Sequence, residues 1–330
     1  VQLESVRELK AALSKTIPEK LLKPARAQSL AVPASPKAGR AGPERTMAFG
    51  IRKKANSDFV LAIRLQRREV GNTPEFEAVV KKAKNEVDVQ YIGRAYKSAT
   101  PWHQRRQRPL RCGCSVGHYK LTAGTLGCFV KSRKDGSVLM LSNNHVLANE
   151  NDAAVGDHIL QPGDYDGGRR PNDVVGQLVN FLKLKVNGSN AADCAVATIN
   201  ESISYKPNDL DGLGVVTGLG PSFLDSGAAV AKVGRTTGLT RGRVTAFEMD
   251  NVVVSFGLGD LRFDNQVEVE GEGADAFSAG GDSGSLIVDD SLRGIALLFA
   301  GTDQGGENGA GLTYSNPLKV VLDQMKVDLL

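Results

Sequence analysis

Residues 121–147, LTAGTLGCFVKSRKDGSVLMLSNNHVL, carry the reading of the fold. Two apolar, β-branched runs, Leu121 to Lys131 and Val138 to Val146, flank Lys134-Asp135-Gly136-Ser137. The Asp-Gly pair favours the positive φ angles of a tight hairpin turn. Further short runs punctuated by glycine follow at 174–184, 195–199, 228–233, 242–247, 252–256, 266–269, 285–288 and 294–299. Many short strands at this spacing predict antiparallel barrels or a sandwich. Asn316-Pro317 then opens LKVVLDQMKVDLL, in which Leu318, Val321, Leu322, Met325 and Leu329 mark one apolar face, so a helix over 317–328 is expected. The 330 residues include 37 glycines and only 5% aromatics, a balance that suits a turn-rich, mainly β protein rather than a helical bundle.

The stretch upstream reads differently. Leu3, Val6, Leu9, Leu13 and Ile17 recur at helical spacing until Pro18, which predicts a short amphipathic helix within 1–23. Residues 24–57 are expected to form a flexible linker, because Pro24 to Thr46 is rich in Pro, Ala, Gly and Ser and lacks apolar periodicity. Residues 58–110 then offer a strand at 58–66, a helix at 74–84 capped by Thr73, a strand at 87–96 and a basic linker, HQRRQRPLR, at 103–111. The expected plan is a small basic α+β domain ahead of a β domain at 111–330.

Charge divides the chain in the same place. Residues 1–110 hold 23 Lys and Arg against 10 Asp and Glu, a net +13, whereas residues 111–330 carry a net −9. A basic first third can meet nucleic acid, anionic lipid, an acidic regulator or the acidic remainder of its own chain. No RNA-binding aromatic signature or zinc-finger spacing accompanies it, which leaves nucleic acid the lesser reading. No run approaches the ~18 apolar residues of a membrane span. Glu4, Arg7 and Glu8 stand where a secretory leader would be apolar, so a cytoplasmic location is expected. Cys112, Cys114, Cys128 and Cys194 are too few and too unevenly placed for a disulfide framework. Cys112-Gly113-Cys114 is too tight for a zinc pair and has no second pair, so no metal and no cofactor is expected.

The chemistry concentrates at 279–286, AGGDSGSL. Glycines around a serine let backbone N–H groups turn towards one point, which stabilising a tetrahedral oxyanion requires. Ser283 is the candidate nucleophile, with the N–H groups of Gly281 and Ser283 as oxyanion donors. Taken alone, the motif equally suits an ordinary loop turn. A serine hydroxyl also needs a base. His103 lies in the basic linker, while His118 and His158 follow apparent turns, so all three read as surface residues. His145 lies just past an apolar strand, where a loop can present it. Asp193, in AADCAVA, is flanked by small residues that permit burial and can orient the base. Asp152, Asp157, Asp164, Asp166 and Asp173 read as solvated loop acids.

In the order His145, Asp193, Ser283, the blocks SNNHVLA, AADCAVATI and GGDSGSL resemble the three catalytic blocks of the chymotrypsin-like (trypsin-fold) serine peptidases, of the bacterial intracellular type. Lys232 to Val244, KVGRTTGLTRGRV, is similar to the Gly-Thr-rich strand and turn of bacterial members. The resemblance covers about 115–330. It implies two antiparallel six-stranded β-barrels, about 115–215 and 225–315, with a catalytic cleft between them and a C-terminal helix. It further implies a substrate pocket bounded by Phe277, Phe299, Ala300 and Gly301, apolar or shallow unless Asp275, Asp303 or Glu307 reaches in. No Ile/Val-x-Gly-Gly start appears near residue 111, so an internal cation, an arginine in bacterial relatives, is expected to neutralise Asp282. The activity implied is hydrolysis of protein substrates through an acyl-enzyme. The basic first third is then expected to restrain, activate or target a regulated protease with a dedicated partner or effector. Two other classes remain open: a catalytically silent protease-fold binding module, and a nucleic-acid-binding regulator acting through residues 1–110.

Overall fold

A computed structural model describes residues 1–21, 47–55, 57–92, 100–120, 123–221 and 224–330. The chain divides into Val1–Ala99 and Thr100–Leu330. The first unit comprises α1 (Leu3–Leu21), β1 (Met47–Ala55), β2 (Asp58–Leu65), α2 (Pro74–Lys82) and β3 (Val87–Tyr91). β1 pairs antiparallel with β2, and β3 pairs parallel with β2 on its other side, α2 making the crossover. Thr73 caps α2 by accepting from Phe76 N at 3.3 Å, with Pro74 in the first turn. Val6 and Leu13 of α1 and Val79 of α2 are buried with Leu61, Ile63 and Leu65 of β2 in one core.

Three expectations need correction here. Met47–Ala55 falls inside the linker expected at 24–57 yet is a strand, because Met47, Phe49 and Ile51 alternate towards the core ahead of its basic end. The Pro-rich stretch 24–46 on which the flexible linker rested lies outside the described residues. The second strand ends at Tyr91 rather than 96, and 93–99 is likewise outside them. The boundary expected at 110 falls instead at 99. Leu110 is wholly buried, donates its N–H to Ser204 O at 2.8 Å and bridges to Tyr205, so residues 100–110 belong to the second unit.

That unit begins with β4 (Ser115–His118), β5 (Gly124–Thr125), β6 (Cys128–Ser132), β7 (Val138–Ser142), the one-turn helix α3 (Asn144–Leu147), β8 (His158–Leu160), β9 (Val174–Phe181), β10 (Ser189–Asn190) and β11 (Ala195–Thr198). The short pair β12 (Asp209–Leu210) and β13 (Gly214–Val215) leads to β14 (Gly218–Leu219), β15 (Ala229–Gly234), β16 (Gly238–Met249), β17 (Val252–Phe256) and β18 (Gly259–Phe263). Then come β19 (Gln266–Gly271), β20 (Leu286–Asp289), β21 (Arg293–Gly301), β22 (Leu312–Pro317), α4 (Leu318–Met325) and β23 (Val327–Leu329). In the β6–β7 hairpin Gly136 takes the expected positive φ, 73°, whereas Asp135 does not and instead accepts from Ser137 N at 3.1 Å through Oδ1.

Eight strands in the order β23-β6-β7-β11-β9-β8-β4-β5 make a curled half-barrel. In the other sheet the order β21-β20-β15-β16-β19-β22 returns to β21, which closes a six-stranded barrel. The protein is therefore mainly β, with one closed barrel, one curled half-barrel and few helices. β17 and β18 form a hairpin outside both, joined in parallel by β10. One core spans the two halves: Phe129, Leu141 and Val196 of the first meet Leu286, Val288 and Leu297 of the second, and Leu318, Val321 and Met325 of α4 complete it. The final helix stops at Met325, short of 328. Lys326 adopts φ 56°, and β23 then pairs with β6, so Leu329 serves a strand and not the helix face expected. All four cysteines are buried and free, and burial pushes the Cys114 and Cys128 thiols up to about 12. Among the described residues no helix is long and apolar enough to cross a membrane, and no His, Cys, Asp or Glu cluster could hold a metal ion.

Candidate active site

His145 sits in α3, the single helical turn that follows β7, and Asp193 lies two residues before β11. β7 and β11 are paired, Ser142 opposite Ala195, so two residues 48 apart in sequence meet at one end of adjacent strands. His145 Nδ1 donates to Asp193 Oδ2 at 2.5 Å, and His145 N donates to Asp193 Oδ1 at 3.2 Å. A carboxylate only accepts, so Nδ1 carries the proton and Nε2 of the neutral ring keeps its lone pair. Asp193 is wholly buried and is positioned through its backbone: its N–H donates to Asn316 Oδ1, and its carbonyl accepts from Asn143 Nδ2 at 2.8 Å. The His145 side chain stays 21% exposed, enough to be reached from the cleft. Burial pulls its pKa down, but the Asp193 charge and hydrogen bond, with Glu150 farther off, outweigh burial and leave it above the ordinary histidine value.

Ser283 stands in the loop before β20, and the two halves approach closely there. A Cβ on Gly124 would lie 2.4 Å from Val146 and 3.0 Å from Ser283 O, so the residue after His145 and the serine backbone share one gap. Gly284, at φ 94°, could not carry a Cβ either, since it would stand 2.1 Å from Ser142 Oγ. Thr125 N donates to Ser283 O at 2.8 Å. The serine hydroxyl itself donates to Phe299 O at 3.3 Å, and among the described residues His145 Nε2 makes no hydrogen bond. Gly281 has φ 97°, and among the described residues neither its N–H nor that of Ser283 has an acceptor. The two donors proposed for an oxyanion are thus unspent.

Between them, Asp282 is wholly buried and accepts from five groups. Thr236 N and Thr237 N reach Oδ1 at 2.8 and 3.1 Å, while Thr237 Oγ1, Ala279 N and Lys232 Nζ reach Oδ2 at 2.7, 3.0 and 3.2 Å. The counter-charge is Lys232 and not the arginine expected. Lys232 is wholly buried too, and burial lowers its pKa against the pull of Asp282. Removing one partner of such a buried pair costs about 3–5 kcal/mol, so the pair ties β15 firmly to the serine loop.

A cavity of about 480 Å³ opens beside Ser283, walled by Ala276, Ser278, Ala300, Gly301 and Ala310, with Asp303 at its edge. Ala300 and Gly301 line this cavity, and Phe277 and Phe299 do not. Phe277 is buried in the barrel core with Val244 and Val269, and Phe299 packs on Phe263 at 4.6 Å beneath the β17–β18 hairpin. Of the other acids considered, Glu307 pairs with Arg243 at 2.5 Å. Phe256, at the tip of that hairpin, meets the His145 ring edge-on at 5.8 Å.

Some surface assignments also change, whereas Asp152 and Asp164 are exposed as expected. His118 is wholly buried with Nε2 bonded to Asp157 at 3.0 Å, and burial holds its pKa below the usual histidine range. His103 is buried because Nδ1 docks on Arg235 O. Asp166, read as a solvated acid, is 5% exposed and grips the Arg235 guanidinium with both oxygens, at 2.6 and 2.8 Å. None of these partners is near its mate in sequence, so neighbouring residues gave no sign of them.

No protein-family model matches the chain, and no curated protein matches it in sequence. Among solved structures it is similar to Thermobifida fusca Protease A, at 16% identity over 67% of this chain and 98% of that one, with a TM-score of 0.45. A chymotrypsin of Cellulomonas bogoriensis is similar at 16% identity over 67% and 98%, TM-score 0.44. So is a glutamic acid specific serine protease that utilises a histidine triad in substrate binding, at 21% identity over 67% and 100%, TM-score 0.48. These three are serine proteases of the chymotrypsin-like fold.

Proposed function

We propose that the unit 100–330 is a serine endopeptidase with His145, Asp193 and Ser283 as its triad. One observation supports the reading: an Asp-oriented histidine, with Val146 after it across Gly124 from the Ser283 backbone, and Gly281 and Ser283 N–H groups that have no acceptor among the described residues. Rotation of the Ser283 hydroxyl away from Phe299 O brings its proton to His145 Nε2, and Oγ attacks the substrate carbonyl. The N–H groups of Gly281 and Ser283 take the negative charge on the carbonyl oxygen. The imidazolium, stabilised by Asp193, then passes its proton to the leaving amine, and water repeats the sequence on the acyl-enzyme. Small residues around the cavity leave room for a long side chain, and Asp303 supplies negative charge, so Lys or Arg before the cut bond is the preferred substrate residue.

The alternative of a silent binding module is favoured by one fact, the serine hydrogen bond to Phe299 O in place of the histidine. The narrower reading is a regulated intracellular bacterial protease that processes one partner protein. It rests on the basic first third, and rapid general digestion of casein by the full chain would overturn it.

A fluorophosphonate probe should label wild type and neither Ser283→Ala nor His145→Ala, and each substitution should lower kcat/KM by about 10⁴–10⁶-fold. Absence of wild-type labelling would establish the silent module instead. The raised His145 pKa gives a pH test. The base works only when neutral, so kcat/KM should rise with pH through a midpoint above the ordinary value of about 6.5, and His145→Ala should abolish that limb. Asp303→Asn should lower kcat/KM for Arg and Lys peptides about three- to fivefold, the modest effect of an exposed ion pair, and leave Ala peptides unchanged. Equal effects on both would remove Asp303 from specificity.

A further inference from the structure

The stretch through which the chain enters the second unit reaches the oxyanion loop through a single peptide plane. His103 Nδ1 donates to Arg235 O at 2.5 Å, and Gln104 Nε2 donates to the same oxygen at 3.2 Å. That carbonyl and Thr236 N–H belong to one planar peptide, and Thr236 N–H donates to Asp282 Oδ1 at 2.8 Å. One edge of the plane is therefore fixed by the entering segment and the other by the buried carboxylate between the two oxyanion donors. Arg235 N donates to Thr125 Oγ1 at 3.0 Å, and Thr125 Oγ1 donates to Gly281 O at 2.9 Å, a second route from the same residue to the same loop.

The segment is itself built in. Gln161, wholly buried, donates from Nε2 to Arg105 O at 2.9 Å and accepts from Gln107 N at 2.8 Å and Arg108 Nη1 at 2.6 Å. Burying a polar ring such as that of His103 costs free energy unless a partner offsets it, and its partner here is Arg235 O, in the β15–β16 turn whose next N–H donates to Asp282.

We propose that residues 101–105 form a built-in activation clamp, with His103 as a positioning residue that orients the Arg235–Thr236 peptide and, through Asp282, the N–H groups of Gly281 and Ser283. The clamp rests on the endopeptidase reading for its effect on turnover, but not for its effect on loop order. It also makes the entering segment a control point: whatever draws it off the Arg235 turn releases the oxyanion donors from register.

The test uses the full chain with His103→Ala, His103→Gln and Gln104→Ala. Oxyanion geometry off by about 1 Å costs roughly 10- to 100-fold, so His103→Ala should lower kcat by that factor with KM within about twofold. His103→Gln, which keeps an N–H donor, should recover most of the loss. Hydrogen exchange in peptides covering 279–285 should quicken in His103→Ala and remain near wild type in His103→Gln. Unchanged exchange at 279–285 in folded His103→Ala overturns the clamp, as does a loss shared equally by the Ala and Gln variants. Should His103→Ala fail to fold, Gln104→Ala, which removes only the second donor, must show the same quickening on a smaller scale or the proposal falls. If the wild type does not label with the fluorophosphonate, the endopeptidase reading fails, and the exchange comparison still decides the clamp.

Discussion

A carboxylate buried without any exposure governs this site. Burying a carboxyl group costs free energy unless donors surround it, and among the described residues five groups, on the β15–β16 hairpin and on the serine loop itself, donate to Asp282. The turn between β15 and β16 and the loop before β20 must therefore come together before either is stable. Once joined, they leave the N–H groups of Gly281 and Ser283 without an acceptor among the described residues, which is the feature on which the proposed chemistry rests. Structure and chemistry depend on the same burial.

The rest of the second unit positions His145 and Asp193. β7 and β11 bring His145 to Asp193, while β22 supplies Asn316 to the Asp193 backbone, so the closed barrel helps position an acid that belongs to the half-barrel. α4 and β23 continue this exchange by filling a core shared between the halves. Histidine and serine are consequently carried by different sheets whose relative placement is set by apolar packing and by Gly124 and Gly284 at the contact.

Local features were legible in the sequence. Asp135-Gly136 announced its hairpin, Thr73-Pro74 its helix start, and the His, Asp and Ser blocks their order and setting, because each signal lies within a few residues. Partnerships across the fold were not. Nothing beside Lys232 marks it as the counter-charge of Asp282, and nothing beside Asp166 says that it grips Arg235. The basic run at 103–111 looked like a solvated linker because charge dominates its composition, yet His103 and Leu110 are buried by contacts made more than 90 residues away. Phe299 lies away from the cavity for a related reason: whether a strand residue faces the cavity or the core depends on register, which spacing to Ser283 does not fix, and Phe277, in the loop after β19, turns into the barrel core.

The four interior cysteines have a practical bearing. Burial raises all four thiols, Cys114 and Cys128 to about 12, so they stay protonated in neutral solution, and the sulfurs are shielded from solvent as well. Alkylating agents and mild oxidants will pass the native molecule by, and will trap only those copies whose interior has opened. Thiol modification then becomes a clock for unfolding, running independently of whether the serine is active.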